Sequence, residues 1–241
     1  MRSVKESWKH SPYWSVKLTS YFDVYQTLLA KFIGEDIIFV EVGVLNGGSL
    51  FMWRDFLGKK ARIIGVDLNP EAKRWRDHGF EIFIGNQSDK KFWHEFYSKV
   101  GTIDVLVDDG GHRYHQQLIT LLETLPHLKD GGIVMVEDVG TSYMKEFGGP
   151  SPVSFVNMAK KLVDHINAQP FLRKKHHLGL HSIQFFEHLI AFHVNRNFVS
   201  ASERCENSGE KVDAKDFRYS DNEQLDAESL AKFLRLDNFN A

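Results

Sequence analysis

A chain of 241 residues is long enough to bury a substantial core, either as one large α/β domain or as a domain with an appendage. Its 42% hydrophobic and 26% charged residues are the balance of a globular protein and exclude disorder throughout. Thirty basic against 32 acidic residues leave a formal charge of -2 without a long single-sign run, so an extended nucleic-acid or anionic-membrane surface has no electrostatic basis.

No apolar run approaches a membrane span. The single cysteine, Cys205, excludes an intramolecular disulfide; with no charged-then-apolar leader, the expected compartment is a reducing cytoplasm.

In chain order, residues 1–35 are expected to form an N-terminal helical segment. The aromatic-rich "SWKHSPYWS" reads as a docking segment for the domain or a subunit, or as a flap over a substrate. "SVKLTSYFDVYQTLLAKFIG" spaces Leu18, Tyr21, Phe22, Tyr25, Leu28 and Leu29 as one face of a helix that packs on the sheet or on a partner subunit.

Five apolar stretches then recur within 36–199: "IIFVEVGV", "RIIGVDL", "FEIFIGN", "IDVLVDD" and "GIVMVED". They are nearly continuous in aliphatic residues instead of alternating, the pattern of strands buried on both faces of a parallel sheet. "SLFMWRDFLGKK" and "QQLITLLETLPHLKDGG" supply helical crossovers that stop at glycine or at Lys-Asp-Gly-Gly. "SIQFFEHLIAFHV" predicts two short strands turning at Glu187 and His188, an antiparallel hairpin at the sheet edge. From residue 200 to 241 the chain is polar, with one short helical candidate, "DAESLAKFLRL", and reads as a tail or lid.

Ligands bind open parallel sheets beyond the carboxyl ends of the strands, near the reversal of strand order. Here those ends carry Glu41 with Gly43, Gly47 and Gly48; Asp67; "GNQSD" with Gln87 and Ser88; "DDGGH" with Asp108, Asp109 and His112; and Glu137 with Asp138. Glycines after the first strand let a ligand approach the backbone, and an acid ending the second can accept ribose hydroxyls. A dinucleotide fingerprint requires G-x-G-x-x-G, and Leu45 stands at its second glycine, so the spacing favours a nucleoside cofactor without a pyrophosphate.

From about Lys17 to Val194, the series "KLTSYFDVY", "EVGVLNGGSLFMW", "IIGVDLNP", "GNQSD", "IDVLVDDGGH", "LKDGGIVMVEDVGTSY" and "SIQFFEHLIAF" resembles class I S-adenosylmethionine-dependent methyltransferases. More narrowly, it is similar to the group of macrolide-sugar and rhamnosyl O-methyltransferases and cephalosporin-hydroxylase-like proteins. The resemblance implies a Rossmann-like fold with a mainly parallel seven-stranded sheet, an antiparallel edge hairpin and helices on both faces. It implies S-adenosylmethionine on Glu41, Gly43, Gly47, Asp67, Gln87 and Ser88, with Asp108 beside them as a strand-end or capping residue. It further implies a magnesium or other hard divalent ion on Asp109, Glu137 and Asp138, with His112 as general base. Asn86 and Gly111 depart from the group's usual Asp and Ser. A homo-oligomer is the expected assembly, supported here by the amphipathic first helix.

The expected activity is transfer of the methyl group of S-adenosylmethionine to a hydroxyl of a sugar or other polyhydroxylated small molecule. An alcohol is a poor nucleophile while protonated; a hard cation on its oxygen and a base beside it remedy this, and a histidine titrates near neutral pH. The alternatives are a catalytically inactive nucleoside-binding scaffold or regulatory subunit, and a nicotinamide-dependent oxidoreductase, which Leu45 disfavours. Asp109 and Asp67 also read as helix caps and His112 as a solvated histidine. His115 and the cluster His176, His177 and His181, which lacks zinc spacing, read as ordinary polar residues, and Tyr143 reads equally as lining the acceptor pocket or as ordinary packing.

Overall fold

The computed structural model describes residues 2–167, 178–197 and 205–210. The chain divides into two compact units, Met1–Ser202 and Glu203–Ala241; in the second, the described residues 205–210 are exposed. The helical candidate "DAESLAKFLRL" and the pair His176 and His177 lie outside the described residues.

The aliphatic runs form one seven-stranded sheet. Strands β1 (Ile38–Val42), β2 (Arg62–Asp67), β3 (Glu81–Ile84), β4 (Ile103–Asp108) and β5 (Leu128–Val136) are parallel. The predicted hairpin supplies β6 (Leu180–Phe186) and β7 (Leu189–Val194), with β7 antiparallel to β5 and β6 on the edge. The order β3-β2-β1-β4-β5-β7-β6 reverses direction between β1 and β4. This is the Rossmann-like architecture expected from the sequence.

Successive side chains of each strand point to opposite faces, so each run feeds two cores. Phe39, Val105, Val107, Ile133 and Met135 pack with helices α2 (Tyr21–Leu29) and α3 (Gly48–Leu57). Val40, Val42, Leu106, Val134 and Val136 pack on the other side with α4 (Lys90–Val100), α5 (Tyr114–Thr124) and α6 (Phe155–Asn167). Burial on both faces is why these strands read as continuous apolar runs. The apolar face of α2 is therefore taken up by the protein's own core, and Leu18, which precedes the helix, is exposed.

Two local readings are corrected. The Lys-Asp-Gly-Gly after α5 does not stop that helix. Pro126, which lacks an N–H, sits in a single 3-10 turn, Leu125–His127, and β5 begins at Leu128. Pairing with β4 shifts register between Ile103 and Val105, so Lys129–Gly132 form a bulge whose Gly131 has φ +83°. Before α2 the chain forms a short helix, α1 (Val4–Lys9), started by a reciprocal cap between Ser3 and Glu6, and then a strap, residues 10–19. Ser11 Oγ donates to the Gly48 carbonyl at 2.8 Å, laying the strap over the start of α3.

Phe39 is fully buried in the central strand β1. Phe39→Ala is expected to lower stability by about 3–5 kcal/mol, read as a lower midpoint in urea with an unchanged slope.

Candidate active site

At the reversal between β1 and β4 the strand ends open into a cavity of about 550 Å³. Gly43, Val44, Leu45, Asp67, Asn86 and Gln87 line one part of it, and Asp109, His112 and Asp138 another. The strap residues Trp14, Ser15, Val16 and Lys17 form a wall. "SWKHSPYWS" thus docks on its own domain and borders the cavity. Gly43 has φ +90°, and a Cβ there would overlap the Asp109 carbonyl oxygen; glycine is what lets the two strand ends close up.

Asp67 accepts the Val44 and Leu45 amides on Oδ2 at 2.8 and 3.0 Å and the Asn69 amide on Oδ1 at 2.8 Å. This holds the turn after β1 against the end of β2: Oδ2 has both acceptor sites used, and Oδ1, with one acceptor site used, keeps capacity for a further donor. Leu45 has φ +46° and is exposed, as befits a turn set by those hydrogen bonds. Gln87 is buried. Its amide donates to Asp108 at 3.0 and 3.1 Å and its carbonyl accepts Gly111 N–H at 2.8 Å, tying the third strand end to the fourth. Ser88 N–H donates to Asn86 Oδ1 in the same turn.

Glu41, Gly47, Ser88, Asp108 and Glu137 do not line the cavity. Glu41 is fully buried and accepts Ser49 Oγ at 2.7 Å and Trp53 Nε1 at 3.0 Å. Burial pushes its pKa up to about 7, against the pull of Lys17 and those two donors. Asp108 is likewise raised, to about 6, by burial, opposed by hydrogen bonds from Gln87 and Gly110.

The acidic centre is organised by three residues that sequence reasoning missed. Lys17 Nζ lies 2.6 Å from Asp109 Oδ2, 3.0 and 2.9 Å from the two Glu137 oxygens and 3.9 Å from Glu41. Burial disfavours the ammonium, but the charges of Glu137, Asp109 and Glu41 outweigh that and raise its pKa. Tyr25 donates a short hydrogen bond to Glu137 Oε1. Tyr21 donates to Asp138 Oδ1 at 2.7 Å and accepts Asp138 N–H at 3.0 Å. Burial and the negative charge of Asp109 push Glu137 upward, against Lys17 and Tyr25. The available signal was confined to Tyr21 and Tyr25, four residues apart on α2, whose hydroxyls put polar tips on the face otherwise read as apolar; Lys17, in the strap, carried none.

Asp109, His112 and Asp138 each bring one ligand atom within 4.8 Å of the others. His112 Nε2 stands 3.9 Å from Asp109 Oδ1 and 3.6 Å from Asp138 Oδ2, too far for hydrogen bonds. Its Nδ1 is buried without a hydrogen-bond partner among the described residues. His112 and Asp138 both have left-handed backbones, φ +56° and +53°, and Thr141 Oγ1 holds the His112 carbonyl at 2.8 Å. Such strain in non-glycine residues persists where surroundings over-determine it, commonly at functional sites. His115 is exposed in the first turn of α5, and Tyr143 is 56% exposed.

Residues 40–139 match the methyltransferase domain family. Over 178 residues the chain is 26% identical to demethylmacrocin O-methyltransferase of Streptomyces fradiae, covering 65% of this chain and 45% of that protein. Over 159 residues it is 31% identical to 8-demethyl-8-alpha-L-rhamnosyl tetracenomycin-C 2'-O-methyltransferase of Streptomyces olivaceus, covering 61% and 41%. The chain thus spans less than half the length of these two relatives. The MycE methyltransferase from the mycinamycin biosynthetic pathway, solved with Mg, SAH and mycinamycin VI, superimposes with a TM-score of 0.74 at 21% identity, over 81% of this chain and 54% of that one.

Strand order, cavity and family match together define the fold of a class I methyltransferase. Within that class the chain resembles the macrolide-sugar and rhamnosyl O-methyltransferase group.

The raised pKa of Asp108 has a stability consequence. Between its unfolded value near 3.8 and its folded value of about 6, the folded state binds more protons than the unfolded one, so the Asp108 contribution falls as pH rises through that window and is level above it. Asp108→Asn retains an acceptor for Gln87 and removes the titration. Urea unfolding should therefore show the variant gaining stability relative to the parent from pH 4 to pH 6; a constant difference between the two proteins would contradict this.

Proposed function

We propose that this protein is an S-adenosylmethionine-dependent O-methyltransferase acting on a hydroxyl of a sugar or another polyhydroxylated small molecule with the help of a hard divalent cation. The observation that carries this reading is one cavity lined both by Gly43 and Asp67 and by the group Asp109, His112 and Asp138. Two relatives named as O-methyltransferases, one of them for a rhamnosyl tetracenomycin, and MycE solved with Mg and SAH support it.

The residues fit both groups. Carboxylate oxygens are hard donors: Asp109, held on one oxygen by Lys17, and Asp138, held on one oxygen by Tyr21, each bring an oxygen to the group they form with His112. The backbone of Gly43–Leu45 and the oriented Asp67 suit a nucleoside, its ribose hydroxyls donating to Asp67, with Gln87 and Ser88 shaping the turn beside it. S-adenosylmethionine supplies an electrophilic methyl carbon on a sulfonium, and a hard cation supplies polarisation of the acceptor hydroxyl.

The chain's own residues do the rest. His112 Nε2, facing the gap beside Asp109 and Asp138, accepts the hydroxyl proton as the oxygen attacks. Trp14 and Val16 in the strap wall the cavity and restrict water. Holding the acceptor oxygen in line with the methyl carbon supplies much of the remaining acceleration. Glu41, Gly47 and Asp108 act from beneath the cavity, holding the turn and strand ends that present the lining residues.

Calorimetry with S-adenosylhomocysteine tests the cofactor assignment: the folded protein is expected to bind, and Asp67→Ala to bind at least about tenfold more weakly. For the chemistry, methyl transfer over a panel of hydroxylated acceptors should be stimulated by magnesium. His112→Ala should lower kcat by roughly 10²- to 10⁴-fold with S-adenosylhomocysteine affinity nearly unchanged. Failure of well-folded protein to bind S-adenosylmethionine or S-adenosylhomocysteine would refute the reading.

A further inference from the structure

The family resemblance implies Glu137 as a metal ligand, yet both of its oxygens are already engaged by donors on the N-terminal segment. Lys17 Nζ lies within 3.0 Å of each, and Tyr25 donates to Oε1. The same ammonium takes Asp109 Oδ2 at 2.6 Å. Tyr21 takes Asp138 Oδ1 at 2.7 Å. Each aspartate is thus pinned by one oxygen, and among the described residues no hydrogen-bond donor reaches the other. Those two remaining oxygens, Asp109 Oδ1 and Asp138 Oδ2, face the same point beside His112 Nε2, at 3.9 and 3.6 Å.

We propose that Lys17 is the resident cation of this centre and a positioning residue for the divalent ion: it occupies the space between Glu137 and Asp109, so the ion is held by the outer oxygens of Asp109 and Asp138 beside His112, and Glu137 is not a ligand. The inference rests on the divalent-cation clause of the proposed function.

Three physical points support it. An ion bridging Glu137 and Asp109 Oδ2 would have to sit at about 2.1 Å from each, in the space the ammonium fills, and two cations there would repel. The ammonium is 1% exposed and anchored by three contacts under 3.1 Å, so displacing it would leave a buried charge without partners. Pinning one oxygen of each aspartate aims the other, as donors behind metal-binding carboxylates do. Lys17 in the strap and Tyr21 and Tyr25 on α2 deliver all three donors from the N-terminal segment. By this arrangement the strap that walls the cavity and the cation site are held by one residue.

The test is binding of Mn²⁺ alone to the full chain, followed by electron paramagnetic resonance and calorimetry, with folding checked by circular dichroism. Asp109→Asn and Asp138→Asn should each weaken Mn²⁺ at least about tenfold, whereas Glu137→Gln stays within about threefold of the parent. Lys17→Met removes the competing charge and frees Glu137, so it should bind Mn²⁺ about tenfold more tightly. Adding Glu137→Gln to that variant should cancel the gain, an outcome that a merely structural role for Lys17 would not give.

Loss of Mn²⁺ binding in Glu137→Gln overturns the proposal, as does unchanged or weaker binding in folded Lys17→Met. Should Lys17→Met fail to fold, Glu137→Gln decides alone. If the parent protein binds no Mn²⁺, the proposal falls, while S-adenosylhomocysteine calorimetry on the same preparation judges the methyltransferase reading separately.

Discussion

One ammonium, Lys17, buried against Asp109, Glu137 and Glu41, is the interaction on which the arrangement of this molecule depends. A buried charge is tolerated only with close, hydrogen-bonded partners, and here the partners come from the ends of β1, β4 and β5. The N-terminal strap, the helix that follows it and three parallel strand ends therefore share one electrostatic knot. Tyr21 and Tyr25 extend it: their phenols, kept protonated by burial and by neighbouring carboxylates, donate as neutral groups to Asp138 and Glu137, and Tyr21 also accepts Asp138 N–H.

Above that knot the geometry is set by backbone placement. Gly43 allows β1 and β4 to end in contact, and Asp67 and Gln87 then fasten the turns after β1 and β4 to the neighbouring strand ends. His112 and Asp138, both in left-handed conformations, turn their side chains toward one gap instead of continuing into the following helical turns. This is local strain held by a rigid sheet, which favours a fixed approach of reacting groups over an adaptable one.

Likeness to MycE extends to the fold and, at 21% identity, carries no residue roles by itself. The proposed chemistry therefore rests on the composition of the site: carboxylate oxygens, a histidine whose buried Nδ1 has no hydrogen-bond partner among the described residues, and a glycine-containing turn, within one cavity. The two streptomycete relatives are more than twice as long as the segment they share with this chain, so regions that choose an acceptor in them have no necessary counterpart here.

The sequence by itself determined the fold class, because burial on both faces leaves continuous aliphatic runs that only a covered parallel sheet satisfies, and "EHL" at the end of β6 marks the hairpin. It determined which residues gather at the strand ends, since position along a parallel strand is a one-dimensional property. It did not reveal that Lys-Asp-Gly-Gly is a bulge, because a bulge is defined by the register of the neighbouring strand. Nor did it reveal Lys17, in the strap, or Tyr21 and Tyr25, whose helical spacing is that of an ordinary apolar face. Their role arises from carboxylates up to 120 positions away, and only the docking of the strap and of α2 on the sheet brings those groups within hydrogen-bond reach.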